Sequence, residues 1–137
     1  MEKNFLDVDD ARAFYTGAES AHDFDHILRV LALAKRLARV ERADLTIVRA
    51  AVLLHDIARA DEDASGKDHA QLAAERAHSI LLERGAPRAH ADAVAHCIAA
   101  HRFRGATQPQ TLEAKILFDA DKLDSIGAIA RMRFPVR

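Results

Sequence analysis

The run Leu53-Leu54-His55-Asp56-Ile57 sets an imidazole and a carboxylate side by side in one of the most apolar stretches of the chain. From Leu45 to Ala60 the pattern predicts a helix, with Leu45, Ile47, Val48, Ala51, Val52, Leu53, Leu54 and Ile57 at its non-polar positions. At about 100° per residue these positions surround the helix axis instead of forming one stripe. A helix that is apolar all round is normally a buried one. A buried Asp beside a buried His is costly unless both are hydrogen-bonded or bound to an ion. A divalent metal would supply the missing partner for both; a purely structural His–Asp pair, or an edge position facing solvent, is the alternative.

The 137 residues suit one domain with an ordinary core. Half of them are apolar, Ala dominates, and aromatics, Gly and Pro are few, which favours helix over a sandwich or barrel. A formal net charge of −1 gives no reason to expect a nucleic-acid polymer or an acidic membrane as partner. The single cysteine, Cys97, excludes an internal disulfide framework and suits a reducing cytoplasm. The N-terminal residues lack the apolar run of a signal peptide, and no stretch of about 18 apolar residues offers a membrane span. These features together lead to the expectation of a cytoplasmic protein.

In chain order, Asp7 to about Thr16 reads as a short Asp-capped helix closed by Gly17. A second helix is expected from His22 or Asp23 to Val40, with Phe24, Ile27, Leu31, Ala34, Leu37 and Ala38 inward and His26 on the border of that face. Asp44 caps the central helix. The polar stretch 59–67 after it holds Asp61, Glu62 and Asp63, near enough to serve as acid or base, or simply solvated. A fourth helix runs from an Asp68 cap to Arg84, closed by Gly85, with His69 on its buried side and His78 on the opposite one. Pro87 opens a helix ending near His101, which projects inward with Val94, Cys97 and Ile98. His101 suits a second-metal ligand, a phosphate contact or a satisfied core histidine. From Thr111 a last helix carries Asp119, Asp121 and Asp124 in otherwise apolar surroundings. Asp119 and Asp124 are expected to face solvent or pair with Lys122, whereas Asp121 shares a face with Leu117 and Ala128 and needs a partner. There is no period-2 strand pattern, repeat or linker.

The order His26 … His55-Asp56 … Asp121 on successive helices resembles the HD superfamily of metal-dependent phosphohydrolases. The segment from His22 to Val30 resembles that family's first helix, with its HDxxHxxRV-type pattern, and Ala51–Ile57 resembles its defining His–Asp helix. Ile98–Phe103 resembles a frequent I-x-x-H segment, and Asp119–Ile129 resembles the DADRLDAIGAIG segment of a bacterial branch of small HD hydrolases. The resemblance covers about residues 20 to 131, nearly all of the single domain expected over 1–137.

The resemblance implies an all-α bundle of about five to six helices around one divalent ion held by His26, His55, Asp56 and Asp121, with Asp56 and Asp121 central to catalysis. Carboxylates with imidazoles favour Mn²⁺, Mg²⁺, Fe²⁺ or Ni²⁺. Arg29, Lys122 and His101 are then candidates to bind substrate, as are Arg102 and Arg104. His69 and His101 are suitably inward for a second metal. The implied reaction is hydrolysis of a nucleotide phosphate or pyrophosphate bond by a metal-activated water. A regulatory module that binds metal or nucleotide without turnover, and a dinuclear-iron oxygenase, are the other readings. Members of this branch usually continue beyond the DADRLD segment. This sequence ends at Arg137, which leads us to expect a more open pocket or a cover supplied by a homodimer partner.

Overall fold

The computed structural model describes residues 4–15, 20–58, 68–102 and 107–133. Among them the chain is all-helical: α1 (Val8–Arg12), α2 (Ser20–Glu41), α3 (Leu45–Leu54), α4 (His69–Glu83), α5 (Arg88–Ala99) and α6 (Leu112–Arg133), with no strand. No helix is long and apolar enough to cross a membrane among these residues.

The helix ends are written locally in the sequence. Asp7 and Asp10 form a reciprocal capping box that starts α1, each side chain accepting from the other's backbone N–H at 2.7 and 3.2 Å. Asp44 accepts from the Thr46 and Ile47 N–H groups at the start of α3, and its own N–H donates to Glu113, tying that start to α6. After α4, Gly85 adopts φ +87° and the Gly85 and Ala86 N–H groups return to the Leu82 and Leu81 carbonyls. These two bonds close α4 in the left-handed cap that glycine accommodates. Arg42 makes the same kind of turn after α2 at φ 59°, without glycine's freedom.

The central helix α3 touches each of the other five. Val48 and every residue from Ala50 to Leu54 are buried, which accounts for its apolar sequence on all sides. Facing it are Phe24, Ile27, Val30 and Ala34 of α2, Val94, Cys97 and Ile98 of α5, and Ala114, Leu117 and Ala120 of α6, all buried. About half of the buried apolar residues among those described are alanines, so helix axes can approach closely, and the core is built from small contacts more than aromatic ones.

Several boundaries differ from those expected. α3 ends at Leu54 instead of Ala60, so His55 and Asp56 lie in the turn that follows the helix and not within it. The cause is local: the His55 ring takes the Val52 carbonyl at 2.7 Å, an acceptor that a continued helix needs for the Asp56 N–H. α1 stops at Arg12, α2 begins at Ser20, and α5 stops at Ala99, two residues before His101. Asp124 is buried and paired with His26 and Arg29, correcting the expectation that it faces solvent or pairs with Lys122. Gly17, Asp61, Glu62, Asp63 and Arg104 lie outside the described residues.

Candidate metal centre

Two helix interiors and the turn at the end of a third helix converge on a cluster of imidazoles and carboxylates. α2 contributes His26, the turn after α3 contributes His55 and Asp56, and α6 contributes Asp121. His26 Nε2 lies 2.9 Å from Asp121 Oδ1 and 3.9 Å from Asp56 Oδ2. His55 Nε2 lies 3.5 Å from Asp121 Oδ1 and 3.7 Å from Asp56 Oδ2. Donors at about 2.1 Å from one octahedral ion sit about 3.0 Å apart when adjacent and about 4.2 Å apart when opposite. The observed spacings fall in or close to that range.

His55 supplies the sharpest test of whether the residues fit a metal. Its side chain is fully buried, and Nδ1 donates to the Val52 carbonyl, which turns Nε2 into the cluster. Nε2 itself has no hydrogen-bond partner, its carboxylate neighbours being too far or misaligned. A buried imidazole nitrogen with no partner is costly, and a cation between the four residues would satisfy it. Two oxygen donors and two imidazoles, with no thiolate, form a set suited to a first-row divalent ion.

The electrostatics agree with this reading. Burial alone would depress the His55 pKa, but the Asp56 and Asp121 carboxylates overcome it and push it up to about 9. Burial likewise opposes ionisation of Asp56, yet His55 and His101 hold it well below the usual carboxylate range. Asp121 is held below that range by His26 and His55, against its own desolvation. Two mostly buried carboxylates that both stay ionised make a strongly negative pocket, with protonated imidazoles serving as counter-charge in the absence of metal.

A second group of histidines faces the other oxygen of Asp56. His101 Nε2 lies 3.6 Å and His69 Nε2 3.8 Å from Asp56 Oδ1, whereas His26 and His55 approach Oδ2. His101 repeats the device seen at His55: it is buried beyond the end of a helix, and its Nδ1 donates to the carbonyl three residues back, that of Ile98. Two overlapping ligand triads result, His26–His55–Asp121 and His55–Asp56–His101.

The remaining candidates are placed differently. Arg29 donates through Nε to Asp124 Oδ1 at 2.9 Å and through Nη2 to Oδ2 at 3.3 Å. Lys122 is exposed beside Asp121 on α6. Arg102 pairs with Asp68, the cap of the helix that begins with His69. Asp124, expected at the surface or beside Lys122, joins the site instead. Its Oδ2 accepts from His26 Nδ1 at 2.7 Å. Arg29 and His26 together hold its carboxyl below the usual range, against the cost of burial. The signal was available: Asp124 follows Asp121 by three residues, so the two carboxylates share a helical face.

Comparison with known proteins places this geometry in context. The HD domain profile matches residues 23–126, a span containing His26, His55, Asp56, Asp121 and Asp124. YpgQ of Bacillus subtilis, an uncharacterised protein, is 35% identical over 126 residues, which are 89% of this chain and 60% of YpgQ. The chain thus spans less than two thirds of that relative. Ribonuclease Y of Chloroflexus aurantiacus is 30% identical over 120 residues, 88% of this chain but 22% of that protein. Among solved structures, an HD superfamily hydrolase from an uncultured Thermotogales bacterium superposes with a TM-score of 0.77 at 38% identity, covering 92% of this chain and 70% of that one. The structure of Bacillus subtilis YpgQ in complex with ADP gives a TM-score of 0.64 at 33% identity, covering 92% and 62%. With its helices, its His–Asp pair and its match over most of its length, the chain belongs to the HD domain family.

Proposed function

We propose that the chain is a divalent-metal-dependent phosphohydrolase acting on a nucleotide phosphate or pyrophosphate bond. The observation that carries this reading is the unpartnered Nε2 of buried His55, aimed among His26, Asp56 and Asp121. A divalent ion held there supplies Lewis-acid stabilisation of phosphoryl charge and lowers the pKa of the attacking water. The protein's own part is to keep the four side chains converged. The Val52 carbonyl sets the His55 tautomer, and Asp124 sets that of His26. Lys122, exposed beside Asp121, is suited to meet the outer charge of a phosphate. The nucleotide as substrate class is supported by the ADP complex of YpgQ.

The two faces of Asp56 favour a second arrangement of the same site, in which His69 and His101 would join Asp56 in holding a second ion. Metal stoichiometry separates the mononuclear from the dinuclear form. The test of function is product release from nucleoside mono- and triphosphates with Mn²⁺ added, against a chelated control. A short RNA belongs in the same panel because one relative is a ribonuclease. Metal-dependent turnover of a nucleotide supports the proposal, and phosphate against pyrophosphate release identifies the bond. Turnover of RNA alone contradicts the nucleotide reading. No turnover by protein shown to hold Mn²⁺ contradicts the hydrolase reading and favours a binding module.

A further inference from the structure

Tyr15 precedes the HD match, which starts at residue 23, yet its hydroxyl reaches the turn that carries the His–Asp pair. The residue follows α1 and is 9% exposed. Its ring meets Phe24 edge-on, with centroids 5.3 Å apart, two residues before His26. Leu6, in the same N-terminal segment, is also buried, and its carbonyl accepts from Arg49 of α3.

The end of α3 has a bonding problem that Tyr15 resolves. A helix continued through residue 57 would send the Asp56 N–H to the Val52 carbonyl and the Ile57 N–H to the Leu53 carbonyl. Here the Val52 carbonyl is taken by His55 Nδ1 at 2.7 Å, and the Ile57 N–H turns to Leu54 at 3.4 Å. The Asp56 N–H and the Leu53 carbonyl thereby lose their helical partners within a buried shell, where polar groups need hydrogen bonds. The Tyr15 hydroxyl serves both, donating to the Leu53 carbonyl at 2.9 Å and accepting from the Asp56 N–H at 3.4 Å.

We propose that Tyr15 is a positioning residue of the metal centre: its hydroxyl closes α3 in the conformation that presents both His55 and Asp56 to the cluster. The inference rests on the metal reading above. Without the hydroxyl, the Asp56 N–H competes with the His55 ring for the Val52 carbonyl. The turn then relaxes toward further helix, and the tautomer of His55 is no longer fixed. A group that only filled space would have no such link to the ligands, since phenylalanine fills nearly the same volume.

The test is calorimetric titration of the full chain with Mn²⁺ for the wild type, Tyr15→Phe and Leu6→Ala. Leu6→Ala removes buried apolar contact in the same segment without touching the turn. Tyr15→Phe is expected to bind Mn²⁺ about 10-fold or more weakly, the usual loss when a group supporting a ligand is removed. Leu6→Ala is expected to melt earlier but to keep wild-type affinity once folded. Unchanged affinity in Tyr15→Phe, or equal weakening in Leu6→Ala, overturns the proposal. A wild type that binds no Mn²⁺ overturns the metal reading as well, so the two failures are distinguishable. Amide exchange of the wild type needs no variant: the Asp56 N–H is expected to be protected, and exchange at the rate of an open loop overturns the proposal.

Discussion

Asp124 Oδ2 lies 2.7 Å from Nδ1 of His26, so a buried carboxylate fixes the ring whose other nitrogen stands 2.9 Å from Asp121. Arg29 in turn clamps Asp124 with two N–H donors. The His26 ring, the Asp124 carboxylate and the Arg29 guanidinium thus form one chain between α2 and α6. Asp124→Asn keeps the shape but removes the charge that favours Nδ1–H on His26. The expected result is Mn²⁺ affinity lower by about 10- to 100-fold with the helix content intact. Wild-type affinity in this variant would show that His26 needs no such orientation.

The same chain decides what Arg29 does. An arginine acting through Asp124 affects metal affinity, whereas one acting on substrate affects KM with metal binding intact. Its bidentate contact with Asp124 favours the first, so Arg29→Ala is expected to weaken Mn²⁺ binding. A raised KM with unaltered Mn²⁺ affinity would return Arg29 to the substrate.

Metal binding is expected to strengthen with rising pH. In metal-free protein the His55 pKa is pushed up to about 9 and that of His26 is also raised, in each case by carboxylates that overcome the effect of burial. A raised folded pKa means that the protonated pair stabilises the metal-free fold below about pH 6.5, a contribution lost as the pH climbs through the folded value. The ion takes the neutral imidazole and must displace these protons. Apparent affinity therefore grows by up to about 10-fold per pH unit for each proton released. Calorimetry in buffers of different ionisation enthalpy counts those protons. An affinity that is flat between about pH 6 and 8.5 would contradict this coupling.

Cys97 offers an independent check on the core. It is buried on α5, and burial, reinforced by the charge of Glu113, pushes its thiol up to about 12. At about pH 8 almost none is thiolate, so alkylation of the native protein is expected to be more than about 100-fold slower than in denaturant. Rapid labelling of the folded chain would mean that α5 does not pack as described.

Arg42, at φ 59°, holds a left-handed turn that glycine adopts without strain. Its side chain is exposed, and replacement by glycine is expected to stabilise the protein by about 1 kcal/mol, a rise of a few degrees in Tm. A lower Tm would place the end of α2 elsewhere.

Much of this arrangement was legible in the chain, for physical reasons that differ by residue. Asp44, Asp68 and Gly85 mark helix ends because their chemistry acts within three or four residues. The apolar surround of Val48 to Leu54 announced burial before any neighbour was known. The stop at Leu54 was not legible, because it depends on a hydrogen bond from the His55 ring to the Val52 carbonyl that competes with the backbone. The true partner of Asp124 was not legible because its pairing with His26 joins residues 98 positions apart, and Lys122 offered a nearer one. Tyr15 escaped notice for the same reason, its hydroxyl acting 41 positions along the chain.

The most direct measurement is Mn²⁺ binding by the wild type and by Asp56→Ala, followed by calorimetry, with circular dichroism to confirm the fold. Asp56 faces both histidine pairs, so one substitution disables either a mononuclear or a dinuclear centre. The expected result is at least one equivalent of Mn²⁺ in the wild type and none retained by the folded variant. Full occupancy in Asp56→Ala would mean that the ion, wherever it binds, is not held by this cluster.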